Sequence, residues 1–301
     1  MPRLPGLLLL LLAGPLPVGC RDARPWQLAD WRPTAPPQRI VAASVFATEV
    51  LLAIAPRERI AALHFLAADT RYSLVVDAAK GLPLVGADPE QLLAAAPDLV
   101  ICDEFTRPET LALLAAAEVP VVRTGTASTF ADIADNIRHV GRLCHLEAPA
   151  EQVVLQMQDR LRTLAGQGPE VAAWRVMSLD GAMHTFGRGS LFDAVVAAAG
   201  ARNLAAERGV GPFRKLDVET VLAWRPDAFV LSDYGELGDA PVVTSAAVPA
   251  WMSQTPGLSL LPCVAKVRLL RIPGPMIGTT SHHLVDAVAA LQEQLRRWGQ
   301  P

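Results

Sequence analysis

Two clusters of acid and aromatic residues hold the clearest chemical potential in this chain. Asp103-Glu104-Phe105, with Arg107 close behind, and Asp233-Tyr234 follow two similar segments at matching places. Carboxylates beside aromatic rings suit a cationic or metal-containing ligand, and they equally serve to cap a following helix, as Thr106, Pro108 and Glu109 suggest for the first cluster. Phe46, His64, Tyr72, His184, Phe186 and His282 stand after or at the ends of other predicted strands and helices. A bare zinc or iron site would need three or four such ligands converging, with His64, Glu104, His184 and one of His282 and His283 as candidates. Adjacent histidines point in different helical directions, so His282 and His283 cannot both face one ion on a regular helix. Catalytic patterns are missing: Gly187-Arg-Gly189-Ser190 lacks the flanks of a nucleophile elbow, and neither a phosphate loop nor an H-E-x-x-H helix occurs.

The elements that must position these residues come from a repeat. Glu90-Gln-Leu-Leu-Ala-Ala-Ala-Pro97-Asp98-Leu-Val-Ile101 returns as Glu219-Thr-Val-Leu-Ala-Trp-Arg-Pro226-Asp227-Ala-Phe-Val230. Each copy predicts a short helix stopped by proline, then an apolar strand. Around the first copy, strands are expected at 39–43, 60–63 and 119–123, with helices at 48–54 and 110–117. Strands alternating with helices at this spacing favour a parallel sheet covered on both faces. From Thr129 to Leu164 the pattern is almost continuously helical, broken near Ala148-Pro149, and the alternation restarts at Trp174. The expected fold is α/β: two Rossmann-like lobes with central parallel sheets, at 39–140 and 171–301, joined by a long helix at 141–170. Such lobes leave a cleft, where small ligands are commonly enclosed.

With 301 residues, 51% of them hydrophobic, the chain can bury one large core or two ordinary ones. A net charge of −3 without any Lys/Arg-rich run argues against a nucleic-acid partner. The first 20 residues read as an export signal: Arg3, the apolar stretch Leu7 to Ala13, then small residues up to Cys20. Val18-Gly19-Cys20 resembles the end of a bacterial lipobox, which would lipidate Cys20 and tie the protein to the membrane; simple cleavage into the periplasm is the alternative. Residues 21–38, rich in proline, read as a tether. Cys102, Cys144 and Cys263 sit in apolar surroundings and are expected as buried free thiols, with one disulfide as the alternative.

Over 38–297 the chain resembles the iron-siderophore, haem and cobalamin group of periplasmic substrate-binding proteins, the receptors of type II ABC importers. Arg39-Ile-Val with Ala47-Thr48-Glu49-Val50, the two Pro-Asp segments, and Thr185-Phe-Gly-Arg-Gly-Ser190-Leu-Phe-Asp193 with Ala199-Gly200-Ala-Arg-Asn203 carry the resemblance. It implies a pre-formed cleft, no intrinsic cofactor and no catalysis. The transported ligand would be siderophore iron or haem first, and cobalamin second, delivered to the importer's permease. It also implies that Glu49 forms a salt bridge with permease arginines, with Asp193 as a shorter second anchor. The bland alternative for Glu49 is helix-terminal electrostatics beside a Thr48 cap. Tyr72 matches a loop tyrosine that can ligate haem iron in relatives, although Ser73 replaces the usual proline. A bare-metal receptor, an enzyme and a protein-binding adaptor are the other readings.

Overall fold

The computed structural model describes residues 31–166, 174–233, 248–299 and 301. The expected signal at 1–20, with Cys20, and Tyr234 lie outside them. The first lobe runs β1 (Ile40–Ala42), α1 (Val45–Ile54), β2 (Ile60–His64), α2 (Val76–Ala79), β3 (Leu84–Val85), α3 (Pro89–Ala94), β4 (Leu99–Cys102), α4 (Pro108–Ala116) and β5 (Val121–Arg123). Its five strands are all parallel, in the order β3-β2-β1-β4-β5. Two helices follow, α5 (Phe130–Cys144) and α6 (Glu147–Ala165).

The second lobe runs β6 (Arg175–Ser178), β7 (His184–Thr185), α7 (Leu191–Ala198), β8 (Arg202–Asn203), α8 (Leu204–Glu207), β9 (Arg214–Lys215), α9 (Val218–Trp224) and β10 (Ala228–Asp233). Then come α10 (Ala250–Gln254), α11 (Pro262–Ala265), β11 (Leu269–Pro273), α12 (Gly274–Gly278) and α13 (Val285–Trp298). A parallel four-stranded sheet, β11-β10-β6-β8, repeats the first lobe's order without the outermost strand, and β7 pairs with β9 in a small antiparallel ribbon.

The repeated Pro-Asp segments have one structural task performed twice. The Asp98 carboxylate accepts the Arg39 N–H at 3.0 Å while the Asp98 N–H donates to the Arg39 carbonyl at 3.0 Å. Asp227 does the same with Arg175, again at 3.0 Å in both directions, and also receives the Arg175 guanidinium. Each aspartate therefore anchors the start of its lobe's central strand, at the sheet edge opposite the expected ligand. Ala96 and Arg225, at equivalent positions before the prolines, both take positive φ, 47° and 52°.

Helix α5 opens with a capping box between Thr129 and Asp132. The break in the long helical stretch falls at His145-Leu146, where His145 adopts φ 53°, and Pro149 is accommodated in the first turn of α6. A Cβ on Gly141 would lie 2.5 Å from that of Ala150, so glycine permits the close approach of α5 and α6. On α6, Ala150, Val153, Val154 and Met157 form one buried stripe with helical spacing. They join a single core that runs through α1, α6, α7 and α13 and takes in residues of both lobes, from Ile40 and Leu51 to Trp174 and Leu295. At about 1.5–3 kcal/mol for each large buried apolar side chain, this shared core resists hinge opening. Gln292 on α13, fully buried, donates to the carbonyls of Leu164 and Ala199, tying three helices together.

Residues 31–38 follow the first lobe instead of hanging free as a tether. The Pro33 carbonyl meets His145 Nε2 at 2.8 Å, and the Pro37 carbonyl accepts from Arg59 at 2.7 Å. Cys102, Cys144 and Cys263 are buried free thiols, and burial pushes their pKa values to about 11, 12 and 12. Among the described residues, no helix is long and apolar enough to cross a membrane.

Candidate functional site

The carboxyl ends of both parallel sheets open onto one cleft of about 800 Å³. This is the edge at which open α/β sheets bind ligands. From the first lobe come Phe46 after β1, His64 at the end of β2, and Asp103-Glu104-Phe105 after β4. From the second come Ser178 at the end of β6, Phe186 after β7, and Ser232 in β10. The segment 277–280 after α12 completes the wall.

The aromatic lining is unusually open to solvent. Phe105 is 81% exposed, Phe213 57% and Phe186 40%, where ordinary core phenylalanines such as Phe229 are fully buried. Phe213, which sequence reasoning missed, packs against Phe186 at 5.3 Å between ring centres and stacks on His184 at 4.8 Å. Its signal was the loop Gly209-Val-Gly211-Pro212-Phe213, an aromatic in a turn-rich stretch of a chain poor in aromatics. This wall is held from behind. Ser178 Oγ accepts the Phe186 N–H at 2.9 Å, and Gly187 and Arg188 bond the carbonyls of Gly211 and Val210.

The polar lining consists mainly of short hydroxyl and amide groups. Asn136 holds Gly125 through two hydrogen bonds of 2.7 and 2.9 Å, and Ser44, Thr124, Ser128 and Thr280 also face the space. Asp103 Oδ1 accepts the Phe105 N–H and the Thr106 hydroxyl, so this carboxylate both shapes the loop and lines the cleft. Glu104 makes no hydrogen bond among the described residues. His64 is held below its ordinary pKa by burial, which outweighs the opposing charge of Asp103. Its ring tilts against Phe65, and its Nδ1 is buried without a hydrogen-bond partner.

Several expected contacts lie elsewhere. Tyr72 is 39% exposed outside the cleft lining, beneath an Arg71 guanidinium that pairs with Asp69 at 2.6 Å. Arg107 is the exposed N-cap residue of α4. His184 bonds Asp180 at 3.1 Å and supports Phe213 without lining the cleft. His282 opens a 3-10 turn, His282–Leu284, behind the wall. Asp233 ends β10, and its side chain is not described. Among the described residues, no group of three or more His, Cys, Asp or Glu side chains is placed to hold a metal ion, so the bare-metal set is not brought together.

Glu49 requires a correction. Ser44 caps α1 through the Ala47 N–H at 3.1 Å and starts the helix a turn before Thr48. That places Glu49 inside the helix, 1% exposed, where it cannot meet a permease arginine. Its Oε2 accepts the hydroxyls of Thr279 and Ser281, each at 2.6 Å, and its Oε1 is buried without a partner. Burial raises its pKa, and the two hydroxyls and nearby His283 only partly offset that. Glu49 is thus a buried bolt between the lobes, directly behind the cleft wall. Asp193, half-buried in the first turn of α7, accepts from Asn203 at 3.1 Å.

His282 predicts a pH effect on stability. Burial foremost, with the charges of His283 and Arg160, lowers its pKa from 6.5 to about 4. Between those values the unfolded chain binds the extra proton, so stability falls as pH drops through this window. His64 acts with the same sign. Denaturant titrations of His282→Leu from pH 7 to pH 4 are expected to show a shallower acid decline than the parent, with about 2 kcal/mol recovered at the acid end. Parallel curves would disprove this assignment.

The comparisons agree with this architecture. The periplasmic heme-binding protein RhuT from Roseiflexus sp. RS-1 superposes over 86% of this chain and 98% of its own, with a TM-score of 0.72 and 26% identity. A periplasmic heme binding protein from Pseudomonas aeruginosa matches 88% of this chain and 95% of its own, with a TM-score of 0.70 and 26% identity. A cobalamin-binding protein of Halobacterium salinarum is 27% identical over 144 residues, which cover 47% of this chain and only 39% of that relative's length. A family model described as periplasmic binding protein matches residues 39–275, the first lobe, the helices between the lobes and most of the second lobe, and the chain belongs to this family.

Proposed function

We propose that this protein is the extracytoplasmic receptor of an ABC importer, capturing a metal chelate or tetrapyrrole-type ligand between its lobes. The observation that carries this reading is the cleft: about 800 Å³, open, and walled by exposed phenylalanines from both lobes. Exposed aromatic faces gain from covering a large apolar ligand. The shared core beneath keeps the walls in place before the ligand arrives, which limits the ordering cost of binding. Relatives named for haem and for cobalamin support a ligand of this size. The hydroxyls of Ser190 and Ser178 do not favour an enzymatic reading. Ser190 Oγ is spent on the Gly187 carbonyl and the cap of α7, and Ser178 Oγ on Thr185 and Phe186.

With Glu49 buried, docking needs exposed acids on both lobes. Glu90 and Glu219 meet that need: they are equivalent in the repeat, exposed, and in the first turns of α3 and α9. The double variant Glu90→Lys, Glu219→Lys is expected to abolish uptake in cells while ligand affinity of the purified chain stays within about twofold. Full uptake would remove the docking assignment, and a purified chain that binds no metal chelate would remove the receptor reading. Export and attachment through Cys20 would place the protein in the periplasm or on the membrane, which globomycin sensitivity of its processing would test.

A further inference from the structure

The cleft is rich in hydroxyls and aromatic rings and poor in cations. No lysine or arginine lines it among the described residues, while Asp103 and Glu104 both do. Arg107, Arg123, Arg188 and Arg214 are each one residue from a lining position, yet none of their side chains contributes to the wall. The one imidazole in the wall, His64, has its pKa lowered by burial, which disfavours its charged form.

A buried anionic group needs a cation or several converging donors, and it is repelled by carboxylates in a low-dielectric site. Lining hydroxyls such as those of Ser128 and Thr280 instead match carbonyl and amide groups, which exchange hydrogen bonds without a charge. Exposed phenylalanines complement the apolar body of the ligand.

We infer that the cargo is an uncharged or cationic metal chelate with an amide- or carbonyl-bearing periphery, and not a tetrapyrrole dicarboxylate or an anionic catecholate chelate. This deepens the receptor reading and rests on it. Corrinoids and ferric hydroxamates share this chemistry. The fold alone does not choose among ligands, since similar chains carry haem and cobalamin in their names. The charge of the lining chooses.

The test is titration of the full apo chain, followed by calorimetry and tryptophan fluorescence, with cyanocobalamin, a ferric trihydroxamate, haem and a ferric tris-catecholate. One of the first two is expected to bind at least about tenfold more tightly than either of the last two. Which one it is identifies the source of the shared chemistry. Haem or the catecholate binding as tightly or more tightly overturns the charge assignment and leaves the receptor reading standing. No binding of any probe by a chain with an intact unfolding transition removes the receptor reading, and this inference with it. Glu104→Lys gives a second readout: the ratio of haem to cyanocobalamin affinity is expected to rise about tenfold, and an unchanged ratio overturns the electrostatic basis.

Discussion

Gly187→Ala is expected to destabilise the protein by about 3 kcal/mol and to weaken ligand binding at least tenfold. A Cβ at this position would lie 2.3 Å from the Val210 carbonyl oxygen and 2.7 Å from that of Gly211. Both are backbone atoms, so no side-chain rotation relieves the clash. The ribbon must separate where the Gly187 and Arg188 N–H groups bond those carbonyls. Phe186 sits immediately before and Phe213 just after, so the second-lobe wall of the cleft shifts with it. Denaturant unfolding and ligand titration together check this. A parental unfolding midpoint would show that the contact is not as close as described, and full affinity would detach the ribbon from binding.

Glu49→Ala is expected to cost about 2–3 kcal/mol and to lower ligand affinity, because it leaves the buried hydroxyls of Thr279 and Ser281 without their shared acceptor. These residues continue the segment that forms one wall of the cleft. Glu49→Gln is expected to behave differently. Its amide retains an acceptor oxygen and never ionises. The raised pKa of Glu49 means the native state favours its protonated form, so stability declines as pH rises from 4.5 through the folded value. At pH 8 the glutamine variant should equal or exceed the parent, and at pH 4.5 the two should converge. Urea titrations at both pH values decide it. A large loss in Glu49→Gln at pH 8 would mean that the charge itself holds the lobes together.

Much of the fold was legible because its signals are local. The apolar runs at β1, β2, β4 and β5 and the helix-stopping prolines are readable within about ten residues, and the repeat marked two lobes. Ser44 caps α1 one turn before the expected start at Thr48, and Glu49, which the resemblance implies at a docking surface, lies buried within that helix. The long helical stretch turns at His145 and not at the expected Ala148-Pro149, because a proline in the first turn of a helix is harmless. The cleft was less legible. Phe46, His64, Asp103, Glu104, Phe105 and Phe186 come together there. Tyr72, Arg107, His184 and His282 do not, because a strand end sets where a loop starts but not where its side chains turn.

The sequence by itself determined the α/β alternation, the doubled lobe and the family, all of which depend on near neighbours and on order. It also determined that few aromatic side chains were available to any site. Only the tertiary structure decided which of them meet. Glu49 and Thr279 are separated by 230 positions, and their hydrogen bond exists because α1 and the segment before α13 are packed onto one core. The repeated Pro-Asp aspartates anchor the sheet edge opposite the cleft, a role that their place in the repeat does not spell out. Long-range packing sets direction as well as distance, and neither is written in the spacing of residues along a chain.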